Sequence, residues 1–188
     1  MKNTLFPLAV FGSILSFATP APAQTLKVDP VHSSIRAGVG HLGVTTVWGR
    51  FNDFEGTIDL TEGKESVSFT VKTTSVDTAV EKRDTHLRSA DFFNVEKFAT
   101  ATFKSTAVKK LDAKTYEVTG DFTLLGVSKP VTTKVTVTGT GKGMEGEART
   151  GFQTAFTVKR SDFGINFMEG ALSDEVKVEI NAEAITQS

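Results

Sequence analysis

A strict alternation of apolar and polar residues runs through most of this chain and limits the folds open to it. In the segment 176–184 every second side chain is apolar, and the pattern recurs in 67–71, 116–124 and 131–137. Successive side chains of a strand point to opposite faces, so a period of two with one polar face predicts an antiparallel sheet that is wetted on one side. With 33–41, 46–60, 101–104 and 147–158 added, the sequence predicts about eight strands.

Eight antiparallel strands close into a barrel or pack as a sandwich, and strand length favours the barrel. Strands of about 11 to 13 residues, rising roughly 3.3 Å per residue and tilted by about 40°, give a barrel on the order of 30 Å tall. A barrel of that height has room for one small ligand. The fold class is therefore all-β, an elongated eight-stranded antiparallel β-barrel with a short helical insertion around residues 79–93.

The helical insertion is the one segment that departs from the alternation. Thr78 and Glu81 are spaced as a capping box, in which the two side chains accept from free N–H groups at the start of a helix. The spacing predicts a helix over residues 79–89. Asp84 and Arg88 stand four residues apart on that helix and can pair.

The first 23 residues have the pattern of a secretory signal peptide. Lys2 precedes an apolar run over about residues 5–18, and Ala21-Pro22-Ala23 is a small-x-small cleavage site. The apolar run is shorter than the roughly 20 residues of a membrane-spanning helix. We expect cleavage after Ala23, a periplasmic location and one mature domain over residues 24–188.

Composition argues against several classes of partner. Without Lys2 the 21 basic residues fall to 20, against 22 acidic ones, and they form no large cluster. A nucleic-acid binder needs a basic face that displaces counterions, so no nucleic-acid partner is expected. The chain has no cysteine, which rules out disulfides and thiolate metal sites. Because His32, His41 and His86 lack the spacing of a metal motif, we also expect no metal and no cofactor.

The inward positions of the predicted barrel are mostly hydrocarbon. Three of the 15 Phe lie in the first 23 residues, which leaves 12 in the mature chain against one Tyr and one Trp. A surface of this kind suits a lipid tail. The side chains that we expect to face the cavity are Phe69, Phe103, Val118, Phe122, Val135, Phe152 and Phe156.

Nine short motifs follow one another along the mature chain: DPVHS (29–33), HLG (41–43), GRF (49–51), FEG (54–56), SVDT (75–78), RDTHLRSADFF (83–93), GDFTLLGVSKPV (120–131), RSDFG (160–164) and SDEV (173–176). Their order and spacing resemble the YceI-like family, whose members are also called polyisoprenoid-binding proteins. The resemblance implies a lipocalin-like barrel, a bacterial periplasmic or secreted location, and a cavity for a long isoprenoid or similar amphiphile.

Five polar side chains are candidates for the cavity rim or for contact with a ligand headgroup: His41, Arg83, Asp84, His86 and Arg160. Successive helix positions point about 100° apart, so residues 84 and 86 cannot form an oriented acid–base pair by themselves. A Gly-x-Ser-x-Gly nucleophile elbow is absent from the sequence. No catalytic residue is assigned. Two interpretations stay open: these residues tie the helix to the barrel, or they contact a headgroup.

The sequence favours a binding protein that sequesters, stores or carries a long-chain isoprenoid or similar lipid, and not an enzyme. Two alternatives stay open. One is an enzyme that modifies an isoprenoid or a quinone; the other is an accessory partner of a membrane electron-transfer protein of cytochrome type. The sequence does not determine the oligomeric state, and a homodimer is kept open.

The cleavage site leads to a prediction about the exported protein. Its intact mass is expected to equal that of residues 24–188, because the signal peptidase removes the segment that ends at Ala23. Mass spectrometry of the protein from a periplasmic extract measures this directly. Protein that accumulates in the cytoplasm with residues 1–23 still attached would contradict the assignment.

Overall fold

The computed structural model describes residues 25–186, which form ten strands and one α-helix. The predicted signal peptide lies outside the described residues. The strands are β1 (Thr25–His41), β2 (Thr45–Phe51), β3 (Phe54–Asp59), β4 (Ser66–Lys72), β5 (Val76–Asp77), β6 (Thr100–Lys110), β7 (Thr115–Leu124), β8 (Val127–Lys142), β9 (Ala148–Lys159) and β10 (Leu172–Thr186). The helix is α1 (Glu81–Arg88), and short 3-10 turns cover Thr73–Ser75 and Arg160–Phe163.

All strand pairs are antiparallel, and β10 pairs with β1, so the sheet closes on itself. The ten strands form eight barrel strands, because β2 and β3 continue one another and so do β4 and β5. This confirms the predicted eight-stranded antiparallel barrel. The predicted strand 46–60 is interrupted at Asn52 and Asp53. There the Asn52 N–H donates to the Ser75 carbonyl and the Lys72 N–H to the Asp53 carbonyl, at 3.1 and 2.9 Å.

Burial follows the period of two. On β3, buried Phe54, Gly56 and Ile58 alternate with exposed Glu55 and Thr57. The buried side chains form two clusters. One lies along the half of the barrel that contains residues 25 and 186, and it includes Leu26, Val28, Ile58, Phe152 and Ala184. The other lies beneath the helical insertion and contains Ala101, Leu124, Phe163 and Ile165.

The helix is shorter than predicted, and its predicted capping box is wrong. Ala79 has a positive φ of 60°, so the helical conformation starts after it, with Val80 as N-cap and no side-chain cap. The Thr78 hydroxyl instead donates to Asp84 Oδ1.

No helix in the described part of the chain has the length and hydrophobicity needed to cross a membrane.

The Asp84–Arg88 pair that helical spacing allows does not form. The Arg88 guanidinium turns away from the helix and donates to the backbone carbonyls of Thr74 and Val76, at 2.9 and 3.0 Å. Its ion-pair partner on the helix is Glu81, at 3.5 Å. Arg88 therefore attaches α1 to the segment that joins β4 to β5.

A polar network lies on the outer face where β1, β10 and β9 meet. Asp29 Oδ2 hydrogen-bonds with His32 Nδ1 at 2.7 Å and accepts from Arg149 at 3.0 Å. Arg149 also pairs with Glu183, the partner of Asp29 across the β1–β10 seam. The hydrogen bond with His32 is the main reason that the pKa of Asp29 lies below its usual value; the Val31 N–H and Arg149 add to the effect, and desolvation opposes it.

A close backbone approach at Gly120 leads to a prediction of stability. Gly120 lies opposite an irregularity of β6 between Ser105 and Ala107. A Cβ there would lie 2.5 Å from the Lys104 carbonyl oxygen and from the Phe103 ring. Gly120→Ala is expected to lower the free energy of unfolding by about 1–3 kcal/mol, the usual range for overpacking, as measured by urea unfolding.

Gly139 provides the matched control for Gly120. A Cβ at Gly139, on the neighbouring strand β8, meets no atom within 4 Å. Gly139→Ala is expected to leave stability unchanged or raise it by about 0.4–1 kcal/mol, through a lower entropy of the unfolded chain. Equal effects of the two substitutions would contradict the close approach at Gly120.

The network around Asp29 leads to a pH prediction. Its folded-state pKa is lowered, so its contribution is present above the unfolded-state pKa of about 3.9 and is lost as pH falls through the folded-state value. Asp29→Asn is expected to flatten the loss of unfolding free energy between about pH 4 and pH 2. Urea titrations across that range measure it. Glu62→Gln, at an exposed turn, is the control and should keep the wild-type slope; an unchanged slope in Asp29→Asn would contradict the assignment.

Candidate functional site

The barrel encloses a cavity of about 550 Å³. All ten strands and α1 contribute to its wall, so the cavity extends through the barrel rather than lying in a surface groove. The wall is mainly hydrocarbon because alternation directs the apolar set of each strand inward. Closure of the sheet then separates these side chains from water.

The structure places all seven predicted cavity residues on this wall: Phe69, Phe103, Val118, Phe122, Val135, Phe152 and Phe156. Phe122 contacts Phe156 and Phe163 edge-to-face, with ring centroids 6.4 and 5.3 Å apart. Contact of these residues with a ligand stays a prediction.

Aromatic residues outside the strands also cover the cavity, and the alternation could not identify them. Phe93, after α1, packs edge-to-face on Phe51 with centroids 5.7 Å apart. Phe92 and Phe167 pack against each other at 5.4 Å, and each contacts the His86 ring. These contacts join the helical insertion to the segment between β9 and β10, so the two cover the same end of the barrel. The sequence indicated Phe92 and Phe93 only by their position shortly after the predicted helix, and it did not indicate Phe167.

Four of the five rim candidates line the cavity, namely His41, Arg83, His86 and Arg160. Asp84 does not. It is buried, and its Oδ1 accepts from the N–H and the hydroxyl of Thr78. Of the two interpretations kept open for Asp84, the structure agrees with the structural one, because its side chain bonds to Thr78 at the start of α1 and does not line the cavity. The reason is that Thr78, just before the helix, donates two hydrogen bonds to the carboxylate.

Arg160 directs most of its donors to backbone carbonyls. Its Nε donates to Ser173 at 3.0 Å, Nη1 to Ile165 and Phe167, both at 2.8 Å, and Nη2 to Leu172 at 3.4 Å. The side chain is 7% exposed. Arg160 therefore fixes the segment between β9 and β10 across the end of the barrel, which leaves one N–H for any ligand.

Arg83 has a different environment from Arg160. Its Nε donates to the Thr78 hydroxyl at 2.7 Å, and Nη2 donates to the Thr78 carbonyl at 2.8 Å. The Thr78 hydroxyl thus accepts from Arg83 while it donates to Asp84. This chain of hydrogen bonds orients the guanidinium at the cavity wall.

The hydrogen-bond partner of His86 is Asp91, which the sequence analysis did not identify. His86 Nε2 and Asp91 Oδ2 lie 2.8 Å apart, and both side chains are about half-exposed. Asp84 and His86 do not form a pair, in agreement with the helical geometry. The His86–Asp91 pair orients the imidazole against Phe92 and Phe167.

Polar wall positions also occur on the strands. Tyr116, Thr133, Gln153 and Thr154 all line the cavity. The Thr133 and Thr154 hydroxyls bond each other at 2.7 Å across β8 and β9, so they satisfy one another without a ligand.

On the outer face, three side chains of types that bind metal ions lie close together: Asp29, His32 and Glu183. Their ligand atoms lie within 4.8 Å of one another. Arg149 donates to both carboxylates, so the cluster already has a cation among its oxygens. It lies outside the cavity and has no part in the site.

Comparison with known proteins agrees with this architecture. A UPF0312 protein of Pseudomonas aeruginosa is 43% identical over 192 residues, with full coverage of both chains. The crystal structure of a Campylobacter jejuni YceI protein is 32% identical, with a TM-score of 0.72 over 79% of this chain and 90% of that one. A domain from Saccharophagus degradans described as polyisoprenoid-binding shares the fold at 16% identity, with a TM-score of 0.68 over 88% of this chain and 99% of that one.

A sequence profile of the YceI-like domain matches residues 26–184, which is nearly all of the barrel. The same span contains the nine motifs and the strands that enclose the cavity. The chain therefore belongs to the YceI-like family.

Proposed function

We propose that the protein binds a long apolar chain, an isoprenoid or similar lipid, inside the barrel and stores or carries it without altering it. The observation that carries this proposal is the apolar cavity of about 550 Å³, to which every strand contributes. Ligand sites commonly enclose about 300–1,000 Å³. A filled core would not leave such a volume.

Burial of hydrocarbon supplies the affinity in this proposal. Each CH₂ removed from water contributes about 0.8 kcal/mol, so a tail of a dozen or more carbons needs few polar contacts. The net affinity is lower than that sum, because the tail and the protein lose conformational freedom on binding. The Saccharophagus domain supports the proposal through its fold, and the expected signal peptide supports a periplasmic site of action.

A direct experiment is to purify the exported protein without detergent, record a native mass spectrum, and extract the bound material with solvent for a second spectrum. The proposal expects one lipid per chain that incubation leaves chemically unchanged. Conversion of the extracted lipid during incubation would favour the enzyme alternative. A ligand-free barrel that never acquires lipid from added vesicles would favour the accessory-partner alternative.

A tryptophan substitution distinguishes a ligand cavity from a packed core. Val135 lines the cavity and is only half-buried, whereas Val118 is 2% exposed and more tightly packed. Val135→Trp is expected to lower lipid occupancy strongly while the melting temperature of the lipid-free protein stays nearly unchanged, because the ring occupies space meant for the ligand. Native mass spectrometry and thermal unfolding measure the two effects.

Thr136→Trp is the matched control for Val135→Trp, since Thr136 is the next residue on β8 and points outward. It should alter neither lipid occupancy nor the melting temperature. Strong destabilisation of the lipid-free protein by Val135→Trp, of the size typical of overpacking at about 1–3 kcal/mol, would show that the interior is packed.

A further inference from the structure

Four of the five basic side chains that line the cavity gather at one end of the barrel, and the fifth, Arg36, lies along β1 and pairs with Glu179. His41 ends β1 and pairs with Leu172, whose carbonyl accepts from Arg160. Arg160 also binds the carbonyl of Phe167, and the Phe167 ring contacts His86 on α1. The helical end of the cavity therefore carries these side chains and Arg83.

The acidic residue among those that line the cavity, Asp59, lies at the other end. It ends β3 and hydrogen-bonds to Thr25, at the start of β1, and to the N–H of Thr61. Hydrogen bonds from the side chain and the N–H of Thr61 are the main reason that the pKa of Asp59 lies below its usual value, and Thr25 adds a smaller effect, so the carboxyl group is an anion at neutral pH. The cavity is therefore polarised along its length, with the guanidinium groups of Arg83 and Arg160 at the helical end and the carboxylate of Asp59 at the other.

Among the arginines of residues 25–186, Arg83 combines the lack of an ion pair with three N–H groups that have no partner in that part of the chain. Arg36, Arg50, Arg88 and Arg149 each pair with a carboxylate, and Arg160 donates to backbone carbonyls. Arg83 makes no ion pair in the described chain.

The free donors of Arg83 have a defined geometry. Thr78 binds Nε and one N–H of Nη2, so both N–H groups of Nη1 and the second of Nη2 have no partner among the described residues. The Nη1–Nη2 edge of the guanidinium is thus free, and it offers two parallel donors of the kind that carboxylates and phosphates accept. N–H donors beside hydrocarbon without an acceptor are unfavourable, and an anion at that edge would accept hydrogen bonds from them.

We propose that the ligand's polar end is an anion, a phosphate or a carboxylate, that accepts two hydrogen bonds from Nη1 and Nη2 of Arg83. The ligand then lies with its head beneath α1 and its tail along the barrel toward the end of β3. This inference rests on the proposed lipid-binding function and adds the headgroup and its orientation. Thr78 and Asp84 act as positioning residues that fix the guanidinium.

The test uses delipidated mature protein and three probes, farnesyl phosphate, farnesol and inorganic phosphate, with dissociation constants from calorimetry. Farnesyl phosphate is expected to bind about tenfold to a hundredfold more tightly than farnesol, the range that charge-assisted hydrogen bonds give. Inorganic phosphate should not bind measurably. If it binds as tightly as farnesyl phosphate, the site takes free anions and the headgroup assignment is overturned.

Two matched variants test whether Arg83 causes the preference for farnesyl phosphate. Arg83→Gln should remove the preference for farnesyl phosphate and leave the affinity for farnesol unchanged, which also shows that the barrel is intact. Lys82→Gln makes the same charge change one residue away, at an exposed position that does not line the cavity, and should keep the preference. If both variants lose the preference equally, or neither does, Arg83 is not the headgroup contact.

Arg83→Lys replaces Arg83→Gln if the latter does not fold. A lysine retains the charge but not the two parallel donors, so the preference should shrink, and a preference equal to that of the wild type would contradict the proposal. The binding of farnesol distinguishes the proposal of lipid binding from the proposal of an anionic headgroup. Failure of farnesol and farnesyl phosphate alike to bind would overturn lipid binding itself, whereas equal binding of both would overturn only the anionic headgroup.

Discussion

Closure of the sheet between β1 and β10 is the constraint on which the rest of the molecule depends. The two strands pair along most of their length, with irregularities between Asp29 and Ser34 and between Val39 and His41. A closed sheet has no free edge, so its backbone groups are satisfied and its inner face is shielded from water. Hydrocarbon that would promote aggregation on an open sheet becomes the wall of a cavity. In a chain without cysteine, stability must come from this pairing and burial.

Shielding the inner face also requires a cover at the barrel end. Polar side chains hold this cover in place through hydrogen bonds to backbone carbonyls. Arg160 holds the segment before β10, and Arg88 holds α1 against the segment between β4 and β5. Asp84 is satisfied by Thr78. Arg83 differs from these side chains because its Nη1–Nη2 edge has no partner among residues 25–186. The motif around α1 therefore combines residues that hold the cover in place with one that lines the cavity.

Apolar burial and the basic end of the cavity perform different tasks in the proposed function. Burial of hydrocarbon is non-directional, so the wall favours a long tail without selecting one tail among many. A guanidinium edge is directional and selects oxygen anions. A binder that needs both affinity and selectivity can obtain the first from the barrel strands and the second from the insertion at its end.

The strands and the inward side chains were predictable from local pattern, because a strand places alternate residues on opposite faces whatever its neighbours are. Phe69, Phe122 and Phe152 could be assigned to the interior in this way. Local pattern could not predict the interruption at Asn52, the hydrogen bonds between Thr78 and Asp84, or the attachment of Arg88 to Thr74. In each case local spacing allows several hydrogen-bond partners. The tertiary structure decides among them, because the closed barrel determines which backbone groups lie nearby without a partner. The sequence predicted a cavity but not its volume, because that volume depends on how far the strands of the closed ring tilt, which only the tertiary structure decides.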